Sequence, residues 1–228
     1  RIQEILGDDA RWSRFAAQDL GLLLSGCVAR AESEPEAWRG HAERLRRLLE
    51  TGFDVPASGL FYNNSRGFRR RFASFATCTY LTLGLYHYGE WAGDEASIGR
   101  ANACAAALIA RQGPQGEWPW FYHAPSGRVV DMYEVYSVHQ DGMAPAFLHH
   151  SVAHGVPGAR EALVRGFRWI LGDNQLGRSM LLPEFGLIYR SQHRRGEQQG
   201  RPLRALRAVS KGLLGRQDGL LPASAVEI

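Results

Sequence analysis

Six stretches of helical periodicity, joined by connections that are alternately short and long, constrain this chain more than any other feature. Residues from about Arg11 to Ala31 place Trp12, Phe15, Ala16, Leu20, Leu23, Leu24 and Cys27 at spacings of three and four, which makes one broad apolar helix face. A second helix runs from about Pro35, a residue suited to a first helical turn, to Glu50 ahead of Gly52. Its Arg and Glu content marks it as an outer helix. The third, about Phe72 to Trp91, is apolar almost all round, as a helix surrounded by others must be. An alanine-rich fourth spans about Glu95 to Arg111, a fifth about Val138 to His154 and a sixth about Gly158 to Gly172. Links after the first, third and fifth helices are a few residues long, whereas those after the second, fourth and sixth are long and rich in aromatics. That inequality predicts antiparallel hairpins whose long connections collect at one end.

The connections also look alike. Gly59-Leu60-Phe61-Tyr62, Gly116-Glu117-Trp118-Pro119-Trp120, Gly186-Leu187-Ile188-Tyr189 and Gly219-Leu220-Leu221 repeat a glycine-led apolar or aromatic turn. In the second, Trp118, Trp120 and Tyr122 alternate with Pro119, Phe121 and His123 before the turn residues Ala124 to Gly127, which predicts a short β-hairpin. The expected fold is all-α: a toroid-like stack of helical hairpins, with that one β-hairpin in the loop after the fourth helix. It is read as a single domain over residues 1–228 with a basic C-terminal segment over residues 189–228. The chain opens at Arg1, and Arg216 to Pro222 resembles the start of a further repeat, so it reads as a piece of a longer protein. Six or seven helices are part of a twelve-helix ring, to be completed by a homo-oligomer or by helices of the longer chain.

Gln112, Gly116 and Trp118 form a Q-x3-G-x-W pattern preceded by Leu108. In this the chain resembles the QW motif of terpene cyclases and related prenyltransferase-fold proteins, where the motif ties a helix to the next turn. Ala107 and Asn102 depart from that pattern, and the aspartate-rich motifs of the cyclases are absent. With its polar and aromatic residues gathered on the long connections, the chain is also similar to the six-hairpin glycosidase and sugar-epimerase group. Tyr136-Ser137-Val138-His139-Gln140-Asp141-Gly142-Met143 resembles the Tyr-Ser-rich segment of uronyl C5-epimerase C-terminal domains. These resemblances imply an α/α toroid acting on carbohydrate.

Charge and composition narrow the function classes. The tail from Tyr189 carries a net charge of +5 and the first 188 residues carry −1, so the basic character is local and a nucleic-acid partner is not expected. The tail helix, Pro202 to Leu214, reads as a cover whose charges point to water. No run of uncharged residues is long enough to span a membrane, the composition is that of a soluble protein, and a cytoplasmic location is expected. Cys27, Cys78 and Cys104 lie far apart in apolar contexts and read as reduced core residues. His149, His150 and His154 include one pair spaced for a metal, but no third ligand follows in sequence. Neither a metal nor a cofactor is expected.

Candidate chemistry concentrates between Gln112 and Phe147. Glu117, Asp131, Glu134 and Asp141 supply carboxyls for a glycosidase-type acid and base, and aromatic surroundings raise the pKa of one such acid. Trp118, Trp120 and Tyr122 offer rings for sugar faces. Ser137 and Gln140 fit a capping box, and Gln140 is also a candidate ligand-binding residue. Pro145 frees the Asp141 carbonyl from the helix that follows. His139 with Tyr133 or Tyr136 forms an alternative set, which removes a proton beside a uronate carboxylate neutralised by Arg66 or Arg190. The first connection, Phe61 to Arg71, adds amides, aromatics and guanidinium groups for glycan hydroxyls and acidic substituents. The leading reading is a hydrolase, lyase or epimerase acting on a glycan or uronate polysaccharide. A non-catalytic glycan- or protein-binding scaffold and an isoprenoid cyclase-like enzyme stand as alternatives.

Overall fold

A computed structural model describes Trp12, residues 14–196 and residues 201–228. The charged opening of the chain, the start of the first predicted helix and the tail around Glu197 lie outside the described residues. Helices α1 (Ala17–Ser33), α2 (Pro35–Phe53), α3 (Phe75–Ala92), α4 (Glu95–Ile109), α5 (Ala144–Ala153) and α6 (Ala159–Leu171) occupy the six periodic stretches. A seventh, α7 (Arg201–Leu213), comes from the basic tail.

α3 is central. It packs between α1 and α5, while α2, α4 and α6 each lie against the helix of their own hairpin. Two glycines allow the closest approach: a Cβ at Gly21 would come 2.6 Å from the Tyr80 carbonyl oxygen, and one at Gly84 would come 2.8 Å from the Gly21 carbonyl oxygen. α3 starts where the Ser74 hydroxyl accepts the Thr77 N–H at 3.1 Å and stops at Gly93, whose φ of 68° is left-handed. α2 buries a single stripe, Ala42, Leu45, Leu49 and Phe53, as an outer helix should.

The all-α expectation fails at the connections. Among the described residues helices make up 58%, but ten short strands form four small sheets, so the fold is mixed α/β and not an all-α toroid-like stack. In the first connection β1 (Asp54–Val55) pairs with β2 (Leu60–Phe61), and β3 (Phe72–Ser74) joins β4 (Phe121–His123) and β5 (Arg128–Asp131) of the second connection in an antiparallel sheet. A second three-stranded sheet sets β6 (Val135–Tyr136) beside β9 (Ser191–Arg194), which also pairs with β10 (Val226–Glu227). Within the third connection β7 (Leu181–Leu182) pairs with β8 (Leu187–Ile188). The physical reason is backbone satisfaction. Tyr122, Val135 and Val226 are fully buried, and buried N–H and C=O groups must be paired. Pairing between connections does this, and it ties all three to one end of the helix layers.

α7 is the reverse of the covering helix read from sequence. Leu203, Leu206, Leu213 and Leu214 are exposed, whereas Arg204 is buried and Arg207 and Lys211 are half-buried. The charges point inward because β5 and the segment after α7 bury two carboxylates, Asp131 and Asp218. Arg204 donates to Glu134 Oε1 at 2.8 Å and to the Tyr133 carbonyl at 2.8 Å, and lies 3.7 Å from Asp131. Arg194 meets Asp218 at 2.7 Å, and Lys211 also pairs with Asp218. Removing one partner of such a cluster leaves a buried charge uncompensated. Arg204→Ala should therefore lower stability by about 3–5 kcal/mol, whereas Leu206→Ser should change it by less than about 0.5 kcal/mol. Chemical denaturation of the two variants measures the contrast.

Candidate functional site

The turn before β4 is held from three sides. Gln112 Nε2 donates to the Gly116 carbonyl at 3.1 Å and to the Ala162 carbonyl of α6 at 2.9 Å, while its Oε1 accepts from Arg165 at 2.7 Å. A Cβ on Gly116 would overlap the Arg165 carbonyl, and its φ of 108° suits glycine alone. Trp118 is fully buried, stacked on Phe75 at 5.2 Å between ring centroids. Gln140 is buried as well, and its amide bridges the Gly116 carbonyl at 2.8 Å and the Trp118 N–H at 3.3 Å. Trp118 and Gln140 are thus parts of a clamp and do not face a ligand.

A π-helical turn, His139–Met143, leads into α5. Pro145 has no N–H for the Asp141 carbonyl, and the Ala144 N–H instead reaches back to His139. The expected capping box is not formed: Ser137 donates to the Tyr189 carbonyl, and Gln140 is occupied in the clamp. What this turn and β6 present is a groove of about 470 Å³ lined by Tyr136, Ser137, Val138, His139, Asp141, Ile188 and Arg190. The Tyr136 and His139 rings lie 5.1 Å apart, and the Arg190 guanidinium sits over Tyr136 at 5.4 Å. Burial pushes the His139 pKa down to about 3, against a bond to the Trp118 backbone that favours its charged form, and its Nδ1 is buried without a partner. This imidazole is neutral at physiological pH. Burial raises the Tyr136 pKa, and its hydroxyl is shared between Arg204, which opposes the rise, and Glu134. Glu134 also accepts from Ser191 at 3.4 Å.

The remaining sequence candidates are dispersed. Glu117 is buried; its Oε2 accepts the Gln115 N–H at 3.0 Å, its Oε1 has no partner, and burial raises its pKa. Asp131 lies under α7 in the ion cluster. Tyr122 is packed in the core with its hydroxyl unpartnered, and Tyr133 is buried with its hydroxyl bonded to Gln175 and the Leu221 N–H. Trp120 is half-buried between Phe121 and Arg204 and lines a separate cleft. Arg66 is exposed and lines neither cleft nor groove. Asp141 stands exposed at the groove, where desolvation raises its pKa. Of the predicted set, Tyr136, His139, Asp141 and Arg190 come together, with Glu134 next to them. Arg204 was missed because the tail helix was read with its charges outward; its alternation with the flanking leucines was the available signal.

His150 and His154 share one oxygen of Glu90, at 2.8 and 2.9 Å, in a clasp between α5 and α3. Among the described residues, no three His, Cys, Asp or Glu are grouped to hold a metal ion, and no helix is long and apolar enough to cross a membrane. Compared with known protein families, with curated proteins and with solved structures, the chain matches none.

The two shifted groups act oppositely on stability. His139, moved from 6.5 to about 3, gives stability that is present above pH 6.5 and lost as pH falls toward 3. Asp131, moved by burial from 3.8 to about 6 despite Arg204, gives stability that is full below pH 3.8 and lost as pH rises through about 6. His139→Asn should remove the acid-side loss. Asp131→Asn should remove a decline on the order of 3 kcal/mol between pH 4 and 7, and melting temperatures of the chain and both variants across this range check both signs.

Proposed function

We propose that the chain acts on a uronate-containing polysaccharide, by proton transfer at the carbon that bears the carboxylate. The observation that carries this reading is the meeting of Arg190, Tyr136 and neutral His139 in one groove. Arg190 supplies a guanidinium for the substrate carboxylate, a pairing that also stabilises the charge formed when the adjacent carbon loses its proton. Tyr136 lies under that guanidinium. Burial and the Glu134 carboxylate keep its phenol protonated against the opposing bond to Arg204, so it serves as the proton donor, while the Asp141 carboxylate lining the groove takes the proton from carbon. The resulting carbanion either expels the glycosidic oxygen on the next carbon, as in a lyase, or is reprotonated, as in an epimerase. His139 closes the groove without adding charge.

Glycosidase chemistry finds less support, because it needs two carboxyls facing each other across the substrate. Glu117 and Asp131 are buried away from the groove, and Asp141 is the acid among its lining residues. The buried rings of Trp118 and Tyr122 fill the core and do not line a cyclase cavity.

The test is incubation of the chain with a panel of uronate polysaccharides in deuterated water. Ultraviolet absorbance reports an unsaturated lyase product, and deuterium at the carbon bearing the carboxylate without chain cleavage reports epimerisation. Tyr136→Phe should lower the rate about 10²–10⁴-fold, and Arg190→Ala should raise KM for the anionic substrate. Binding without turnover would favour a scaffold role. Turnover unaffected by either variant would place the chemistry elsewhere.

A further inference from the structure

A second cleft lies apart from the groove at Tyr136. It has a volume of about 570 Å³ and lies at the starts of α1 and α3, between the first connection, β4 and α7. Its polar lining joins three carboxamides to the Ser74 and Thr77 hydroxyls and the Arg69 guanidinium. Gln18, Asn63 and Asn64 contribute carboxamides, and no acid is among the lining residues. The Asn63 Oδ1 accepts the Ser74 N–H at 2.8 Å, which fixes the side chain and leaves its NH₂ group without a bond to the described residues. Asn64 Oδ1 is buried with no partner. Such an atom carries a desolvation cost that a ligand donor would remove. At the edge, Phe68 is 50% exposed although it is a large aromatic, with its ring set edge-on to Phe72 at 5.6 Å.

Carboxamides present a donor and an acceptor side by side, which matches neighbouring hydroxyls, and an exposed ring matches the C–H face of a pyranose. The one lining cation, Arg69, is exposed, so nothing buried in the cleft is matched to an anion. We infer that this cleft binds an uncharged, hydroxyl-rich pyranose unit, held by Asn63, Asn64 and Gln18 with Phe68 against its face. The inference rests on the reading that the chain handles saccharides, but not on the chemistry at Tyr136.

The experiment titrates the intact chain with neutral oligosaccharides of glucose, galactose and N-acetylglucosamine by calorimetry and ligand-observed NMR. Asn64→Ala and Phe68→Ala each remove a side chain with little internal bonding, and unchanged melting temperatures confirm that both fold. Each should weaken binding about ten-fold, while Arg190→Ala should leave it unchanged. The inference is overturned if no neutral saccharide binds, if both cleft variants bind as the parent does, or if binding is lost with Arg190→Ala. Uronate turnover without neutral binding would overturn this site alone. Neutral binding without uronate turnover would overturn only the chemistry proposed at Tyr136.

Discussion

The candidate groove depends on the pairing of β6 with β9. Val135 lies opposite Gln192 and Tyr136 opposite Ser191, and the Ser137 N–H continues the ladder to the Arg190 carbonyl at 2.9 Å. This short ladder brings an arginine of the third connection over a tyrosine of the second, beside a histidine at the start of α5. The first connection is fixed in the same way. The Asn63 N–H donates to the Phe72 carbonyl at 2.9 Å and its side chain takes the Ser74 N–H, so the cleft wall and the cap of α3 share one asparagine. Strands of two to four residues are marginal alone. Here they persist because Tyr122, Val129 and Val135 belong to the same buried cluster as the helices beneath them.

The charge cluster under α7 shows how hydrogen bonding, more than proximity of charge, decides the state of a buried acid. Burial raises the pKa of both Asp131 and Asp218. For Asp218 the effect is overcome by Lys211, by the Met132 N–H at 3.0 Å and by Arg194, and its carboxyl ends below the ordinary value. Asp131 has three arginines at 3.6 to 3.8 Å but no hydrogen bond to either oxygen, and it ends at about 6. A buried cluster of this kind adds little net stability over an apolar replacement, although breaking it by removing one partner is costly. α7 accordingly keeps Arg204 and Arg207 inside and Leu203, Leu206 and Leu213 in water.

Features governed by local spacing were legible in the sequence, and features governed by distant pairing were not. The period of 3.6, Pro35 at a helix start and glycine at a helix end act within one turn, so the helices could be placed. Gln112, Gly116 and Trp118 could be read as a tie between helix and turn only through their resemblance to the QW motif, not from spacing alone. The hairpin of β4 and β5 could be read from its alternation and its turn residues, but the pairing between connections could not, since Phe72–Ser74 has no alternation to show and its partner at Phe121–His123 lies in another connection. Candidate residues met the same limit. Tyr122, Tyr133 and Tyr136 are alike in composition, yet two are buried core and one lines the groove, and the difference comes from strand pairing. Asn63 and Asn64 were visible as amides among aromatics. Gln18 carried no such signal, being a single amide within the first predicted helix.

Arg204 connects the two depressions. On the groove side it bonds Glu134 and the Tyr136 hydroxyl, and on the cleft side its guanidinium lies over Trp120 at 4.8 Å. α7 carries this arginine together with Ala205 and Val209, which line the cleft. A ligand pressing on that wall of the cleft therefore acts on the same helix that sets the charge beside Tyr136. Any displacement of Arg204 would remove a bond from the Tyr136 hydroxyl and free Glu134 at the same moment, because one guanidinium serves both. The dependence of the groove on α7 follows from this shared side chain.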